Sequence, residues 1–444
     1  MDWREGVNLI ASILNLAPLL LPSRHEGDHP MNHTTSRRSF MQCAASGAAL
    51  AALASARHGA ARSIENASAD ADTPLYSLDP GLAYLNHGSI GATPIAVRLA
   101  HESYLRICER FPSLYMWGDA WERAREEVRG KLATFLNCSA KELAITHNTT
   151  EGFNILSHGL PLKKGDEVLF STWNHVGASK CFEYASEVRG YSVRRFTIPL
   201  DRASALSVQE LVDLHIGQIK PQTRLLVIPH VDNLVGVRQP VAQIAQAAHR
   251  KGVEFVAVDG AQAMGMIPVD LDELADVDFY AASPHKWLQA PKGLGLFFVR
   301  AALLDQLRPM WVSWGQDRWE GTTRIFEDYG TRDLPAVLAL GDAVDFHTKT
   351  LWTERTATLQ RLRKRARQLS QHRRIEWMSP AAWELGASLY TLRLPGVDPK
   401  KLGSKLDENQ IAVRLFTEPG GARLRISPNT LNVEADLDRL FEEL

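Results

Sequence analysis

Between residues 142 and 300 the chain repeats one pattern seven times: a short apolar run ends in a turn or a polar residue. The runs are ELAIT (142–146), EVLFS (167–171), SVRRFTI (192–198), RLLVIPHV (224–231), EFVAVD (254–259), DFYAAS (278–283) and GLFFVR (295–300). Several are continuously apolar rather than alternating, as in strands buried on both faces. Amphipathic stretches such as QPVAQIAQAAHRK (239–251) lie between them. This predicts an α/β domain built on a mostly parallel seven-stranded sheet between helices. Past residue 310 the pattern changes to a Trp-rich stretch, MWVSWGQDRWEG, then FEDYGTRDLPAVLAL, a basic helix over 353–373 and short strands near 387–394 and 410–415. That succession predicts a smaller α+β domain, and 444 residues suffice for two cores.

The formal net charge is −1, so the chain lacks the concentrated basic surface that nucleic acid requires, and the basic helix reads as a solvated face. Residues 34–56, TTSRRSFMQCAASGAALAALASA, place Arg37 and Arg38 before a short Ala-rich run ending Ala54-Ser55-Ala56. This is the layout of an export signal with a small-residue cleavage site, and SRRSFM resembles the twin-arginine type. The expected partner is the twin-arginine export machinery and the expected location periplasmic or secreted. The apolar run is too short for a stable membrane anchor. Upstream, VNLIASILNLAPLLLP is broken by Asn15 and Pro18, and Met31 is the expected start. Cleavage after Ala56 leaves Cys108, Cys138 and Cys181, an odd number with no CxxC pair, so neither a disulfide framework nor a metal site is expected. The expected divisions are 1–56 (extension and signal), 57–75 (linker), 76–105 (a segment packing on the small domain), 106–310 (large domain) and 311–444 (small domain).

Open α/β sheets bind ligands at the carboxyl ends of their strands. Here ELAIT leads into HNTTEG, where Thr149 and Thr150 open a helix and offer hydroxyls and free N–H groups to an anion. EVLFS leads to His175, RLLVIPHV to Asn233, EFVAV to Asp259 and Gln262, and DFYAA to Ser283, His285 and Lys286. Each has an ordinary structural reading on its own: a helix cap, a satisfied histidine, a surface ammonium. Five consecutive strand ends delivering polar groups to one crevice have a common reading. An anion site, an aromatic ring, a carboxylate at the end of an apolar strand and a lysine match the needs of pyridoxal 5′-phosphate.

AVDGAQAMG, with SPHKW placing Lys286 27 residues after Asp259, resembles the pyridoxal-phosphate-dependent class V aminotransferase family, which includes cysteine desulfurases and isopenicillin N epimerase-like proteins. YLNHGSIGATP (84–94), THNTTEG, PHVDNLVG, FEDYGTRD and RLRISPNTLNVEADLDRL follow in family order, and LNHGSIGATP with YGTRD is most similar to the epimerase-like branch. The resemblance implies fold type I and a role for each matching residue. Lys286 forms the Schiff base with the cofactor, Asp259 pairs with the pyridine nitrogen and His175 stacks on the ring. Gln262 meets the phenolic oxygen and Asn233 lies near ring and substrate. Thr149, Thr150, Ser283 and His285 hold the phosphate. Thr331 reaches the phosphate of a neighbouring subunit, which implies a homodimer with shared sites. Arg425 clamps the substrate α-carboxylate, with Arg423 as the alternative, and Asn86 and His87 lie at the substrate.

The implied activity is at the α-carbon of an amino acid or related amine, as an epimerase or aminotransferase, with a carbon–sulfur lyase as the alternative. Desulfurases of this family need a nucleophilic cysteine on a mobile loop after the segment that here reads IAVRLFTEPGGARLRIS, and no cysteine follows Cys181. A non-catalytic cofactor- or amino-acid-binding protein is the reading from another class, and it leaves the Schiff-base lysine without a purpose.

Overall fold

The computed structural model describes residues 75–313 and 315–444. The export-signal stretch 34–56, the segment before it and linker residues 57–74 lie outside the described residues. A short strand β1 (Ala83–Tyr84) precedes the main sheet. That sheet comprises β2 (Leu143–Thr146), β3 (Glu167–Ser171), β4 (Ser192–Phe196), β5 (Thr223–Pro229), β6 (Phe255–Asp259), β7 (Phe279–Ala282) and β8 (Gly295–Val299) in the order β2-β8-β7-β6-β5-β3-β4. The neighbours from β7 to β4 run parallel, while β8 is antiparallel to both β2 and β7. Every residue of β2, β3, β6, β7 and β8 is buried, which explains their unbroken apolar sequences. At the edge, β4 is exposed or half-buried at four of five positions, and its Arg194 and Arg195 discourage pairing with another chain.

Helices cover both faces. On one side Val97, Leu132, Ile244 and Leu338 belong to a single apolar core with the sheet; on the other Phe153, Phe170, Phe182 and Phe297 form a second. The helix Leu334–Thr348, although late in the chain, lies in the first of these cores beside Ile95–Cys108 and Glu122–Leu136.

The carboxyl-terminal sheet is antiparallel, in the order β12-β13-β10-β9, from β9 (Glu376–Trp377), β10 (Tyr390–Pro395), β12 (Arg414–Glu418) and β13 (Gly421–Ile426). Between them β11 (Ile411–Ala412) pairs in parallel with β1, so Ala83 and Leu85 join Leu362, Leu424 and Phe441 in a third core. The strand expected near 410–415 is therefore two strands, and the PGG that follows is the turn of a hairpin. Glu418 faces Gly421 across Pro419-Gly420, with Gly420 at φ +79°, the backbone a type II turn requires.

The basic helix runs from Trp352 to His372, and it is not solvated throughout. Arg355 and Arg363 are buried. Arg363 donates to the carbonyls of Pro380 and Ala387 and lies 5.2 Å from the Trp377 ring and 5.6 Å from Tyr390. Its stem and planar head fill apolar space that the charge count alone does not reveal. Cys108, Cys138 and Cys181 are free thiols. No helix among the described residues is long and apolar enough to cross a membrane.

Candidate functional site

A cleft of about 380 Å³ opens at the carboxyl ends of β2, β3, β5, β6 and β7. Thr149, Thr150, His175, Asn233, Asp259, Gln262, Ser283, His285, Lys286 and Arg425 all line it. At one end the helix Thr149–Gly159 begins, capped by Asn148, whose Oδ1 accepts from the Glu151 N–H at 2.9 Å. The Thr149 N–H donates to Ser283 Oγ at 3.1 Å, and the two hydroxyls are 2.7 Å apart. His285 Nδ1 donates to the Leu294 carbonyl at 2.7 Å, which leaves Nε2 for a ligand. Burial, with Lys286 and Lys292 nearby, lowers the pKa of His285. A helix N-terminus, three hydroxyls and an imidazole at one end make an anion cradle.

On the floor, Asp259 is 5% exposed at the end of β6, and its Oδ1 accepts from the Ala261 N–H at 3.0 Å. Burial pushes this carboxyl up, while the Ala261 N–H, Lys286 and His175 draw it back. Lys286 is partly exposed through the cleft opening, yet desolvation lowers its pKa to about 8, against the pull of Asp259. An ammonium that titrates this near neutrality delivers a neutral amine. His175 caps the helix Val176–Arg189, and its Nδ1 accepts from the Gly177 N–H at 3.1 Å. Burial lowers its pKa, so a neutral ring faces the cleft with its remaining proton on Nε2.

The first described segment closes the site from above. Gly91 N–H donates to the His285 carbonyl at 2.9 Å, and a Cβ on Gly91 would lie 1.9 Å from the Lys286 carbonyl oxygen. Only glycine permits that approach. Gln262 links the same layers: its Oε1 accepts from Trp287 Nε1 and its Nε2 donates to the Gly88 carbonyl, both at 2.8 Å. One amide hydrogen is left over for a ligand. At the mouth, Arg425 is 4% exposed, donating to the Asn233 carbonyl at 3.0 Å, Ser89 Oγ at 2.7 Å and Asn86 Oδ1 at 3.4 Å. Its Nε has no partner, and burial, with Arg414 nearby, lowers its pKa to about 10. Arg423 instead pairs with Glu418 at 2.9 Å.

Three residues named by the resemblance do not line the cleft: Asn86, which meets it through Arg425, and two that lie elsewhere. His87 is wholly buried between the rings of Tyr84 and Trp287, both its nitrogens unpartnered, and burial lowers its pKa to about 3. It packs as a neutral ring and does not line the cleft. Thr331 lines a separate cleft of about 460 Å³, where its hydroxyl accepts from Trp117 Nε1 at 3.3 Å. Sequence reasoning missed the residues that hold the others. Asn174 accepts from Ser171 N–H and Oγ and donates to the Val227 carbonyl, setting the turn that presents His175. Asp232 accepts from the N–H groups of Leu234, Val235 and Val237 and orders the loop that carries Asn233. Both directly precede the residue they serve, so the strand-end argument extended by one position reaches them. Arg414 and Phe416, which also line the cleft, have no such signal.

The donor set fits pyridoxal phosphate: an anion cradle, a neutral ring, a buried carboxylate and a desolvated amine line one cleft. The class V aminotransferase family model matches residues 92–435. Isopenicillin N epimerase of Amycolatopsis lactamdurans is 32% identical over 394 residues, covering 83% of this chain and 96% of that protein. Isopenicillin N epimerase of Streptomyces clavuligerus is 30% identical over 393 residues, covering 83% and 95%. A solved complex of the cystine C–S lyase C-DES with its product cysteine persulfide has the same fold, with a TM-score of 0.73, 24% identity and coverage of 82% and 97%. The chain belongs to the class V aminotransferase family.

Proposed function

We propose that the protein is a pyridoxal-phosphate enzyme that moves the α-proton of an amino acid, with epimerisation as the outcome. The single observation that carries this is Lys286, an amine whose pKa is lowered to about 8 beside the buried Asp259 in a cleft with an anion cradle at one end. Bound there, pyridoxal phosphate supplies an aldehyde that condenses with amines and a protonated ring that draws electrons from the α-carbon. Thr149, Thr150, Ser283 and the helix N-terminus hold its phosphate; His285 donates to the same group once its Nε2 takes a proton. Asp259 holds the proton on the pyridine nitrogen, and His175 covers one ring face. Arg425 takes the α-carboxylate as a planar fork, and Lys286 Nζ, freed when the substrate amine is bound, accepts the α-proton. Epimerisation is favoured over transamination by the names of the two relatives at 30–32% identity.

Desulfuration is disfavoured because no cysteine follows Cys181. A homodimer is supported by the exposed aromatic Trp117, whose Nε1 meets Thr331 at the surface. In that dimer Thr331 serves the partner's phosphate. Twin-arginine export to the periplasm rests on SRRSFM and the run behind it.

Purified protein is expected to show the visible band of a lysine-bound cofactor, and Lys286→Ala to lack it; a wild-type protein that stays colourless after reconstitution overturns the reading. In deuterated water, deuterium uptake at Cα with inversion identifies epimerisation, keto acid identifies transamination and sulfide from cysteine or cystine identifies the lyase. Cell fractionation that finds the protein only in the cytosol overturns export, and a monomeric mass by light scattering overturns the dimer.

A further inference from the structure

The hairpin β12–β13 places Arg414 directly opposite Arg425, and Phe416 opposite Arg423. Facing residues on adjacent strands project to the same side, so one surface of this ribbon carries three arginines and one phenylalanine. The guanidinium carbons of Arg414, Arg423 and Arg425 lie 5.5, 5.4 and 5.8 Å from the Phe416 ring centroid. Like charges directly opposite on a sheet repel. The acid on this surface, Glu418, is committed to Arg423 and Arg393. Arg414 has no hydrogen-bond or ion-pair partner among the described residues, and the guanidinium of Arg425 meets only a carbonyl, a hydroxyl and an amide oxygen. Both line the cleft that holds Lys286, where Asp259 is the only carboxylate among the described lining residues.

Pairing the groups one by one, with cofactor and substrate bound, leaves Arg414 as the one cation without an anionic counterpart among the described lining residues. The phosphate is met at the Thr149 end, Asp259 faces the ring nitrogen and Arg425 faces the α-carboxylate. Arg414 stands next to Arg425 at the mouth with nothing to neutralise it. We propose that Arg414 is a specificity residue that receives a second anionic group, carried on the substrate side chain, so that the natural substrate is an acidic amino acid or a larger molecule with an acid beyond its α-carbon. Phe416, between the arginines, supplies an apolar wall for the carbons joining the two acids. The proposal rests on the reading that Arg425 takes the α-carboxylate.

The test is calorimetric titration of the cofactor-loaded enzyme with two unreactive acids that carry the same three-carbon chain, glutarate with a second carboxylate and butyrate without it. Wild-type protein is expected to bind glutarate about tenfold or more tightly than butyrate, the effect of one added hydrogen-bonded charge pair. In Arg414→Gln that preference is expected to vanish with butyrate affinity unchanged. Arg414 is exposed, so the variant is expected to fold. Equal wild-type affinities, a preference that survives in Arg414→Gln, or a parallel loss of butyrate binding each overturn the proposal; the last puts Arg414 on the α-carboxylate. Failure of the broader reading registers separately, as the missing visible band in the wild type.

Discussion

Replacing Lys286 by methionine in the cofactor-free protein removes an ammonium that the sheet edge holds largely out of water. The lysine pKa falls from 10.5 to about 8, with desolvation the main cause. At about 1.4 kcal/mol for each pKa unit, the folded state disfavours the charged form by about 3 kcal/mol. Below pH 8 both folded and unfolded chains carry the proton, so the wild type bears that full penalty. Between 8 and 10.5 the unfolded chain binds a proton that the folded chain does not, and wild-type stability rises with pH. Above 10.5 neither carries it and the penalty is gone. Lys286→Met is therefore expected to be more stable than wild type at pH 7 by about 3 kcal/mol, a figure that already contains the attraction between the ammonium and Asp259. The advantage shrinks towards zero near pH 10.5. Urea unfolding of both apo-proteins at several pH values measures it, and the difference between them cancels the titrating groups that do not feel Lys286, leaving Asp259, His175 and His285 as its neighbours. An advantage that is constant with pH, or absent at pH 7, refutes the assignment of Lys286 as a desolvated amine.

Asp259→Asn is expected to keep cofactor binding and lose about 10²–10³ in kcat, read as slowed deuterium exchange at Cα. Gly91→Ala should weaken cofactor retention, because its methyl group meets the Lys286 carbonyl; dialysis against buffer and the visible band report it. Glu327 is 2% exposed: burial alone raises its carboxyl, but Arg129, which donates to it through two nitrogens, with Arg125 and Arg332, holds it at about 2. Because that value is below the ordinary 4.5, the stability it confers is present above pH 4.5 and lost as pH falls towards 2. Glu327→Gln should destabilise the fold by about 3 kcal/mol at pH 7 in urea unfolding, since it leaves the buried Arg129 only the half-exposed Glu126 and takes the carboxylate from Arg125.

Much of the site is legible in the order of residues alone, for a physical reason. In a mostly parallel sheet the strands end on one edge, so the residue after each apolar run is delivered to the same crevice whatever the helices between them do. Thr149, His175, Asn233, Asp259, Ser283 and Lys286 follow from that logic and line one cleft. The same logic does not reach His87, whose neighbours in the chain belong to the cleft while its own ring turns into the core. One step along the backbone reverses a side chain, and only packing decides which side is wet.

The α/β class, the strand ends and the chemical types at them are therefore properties of the linear chain, because periodicity and apolar runs encode which segments are buried on both faces. So is the lack of a cysteine nucleophile after Cys181, which no fold can supply. Three-dimensional packing was needed to turn β8 antiparallel and to draw Arg355 and Arg363 away from the solvated face of the basic helix. It was needed again to spend Arg423 on Glu418 while Arg425 and Arg414 stand side by side at the cleft. The last of these depends on register, and register comes from the Pro419-Gly420 turn together with the strand it pairs with. Local sequence says that a strand forms; the neighbour across the ladder says which of its residues share a face and a charge.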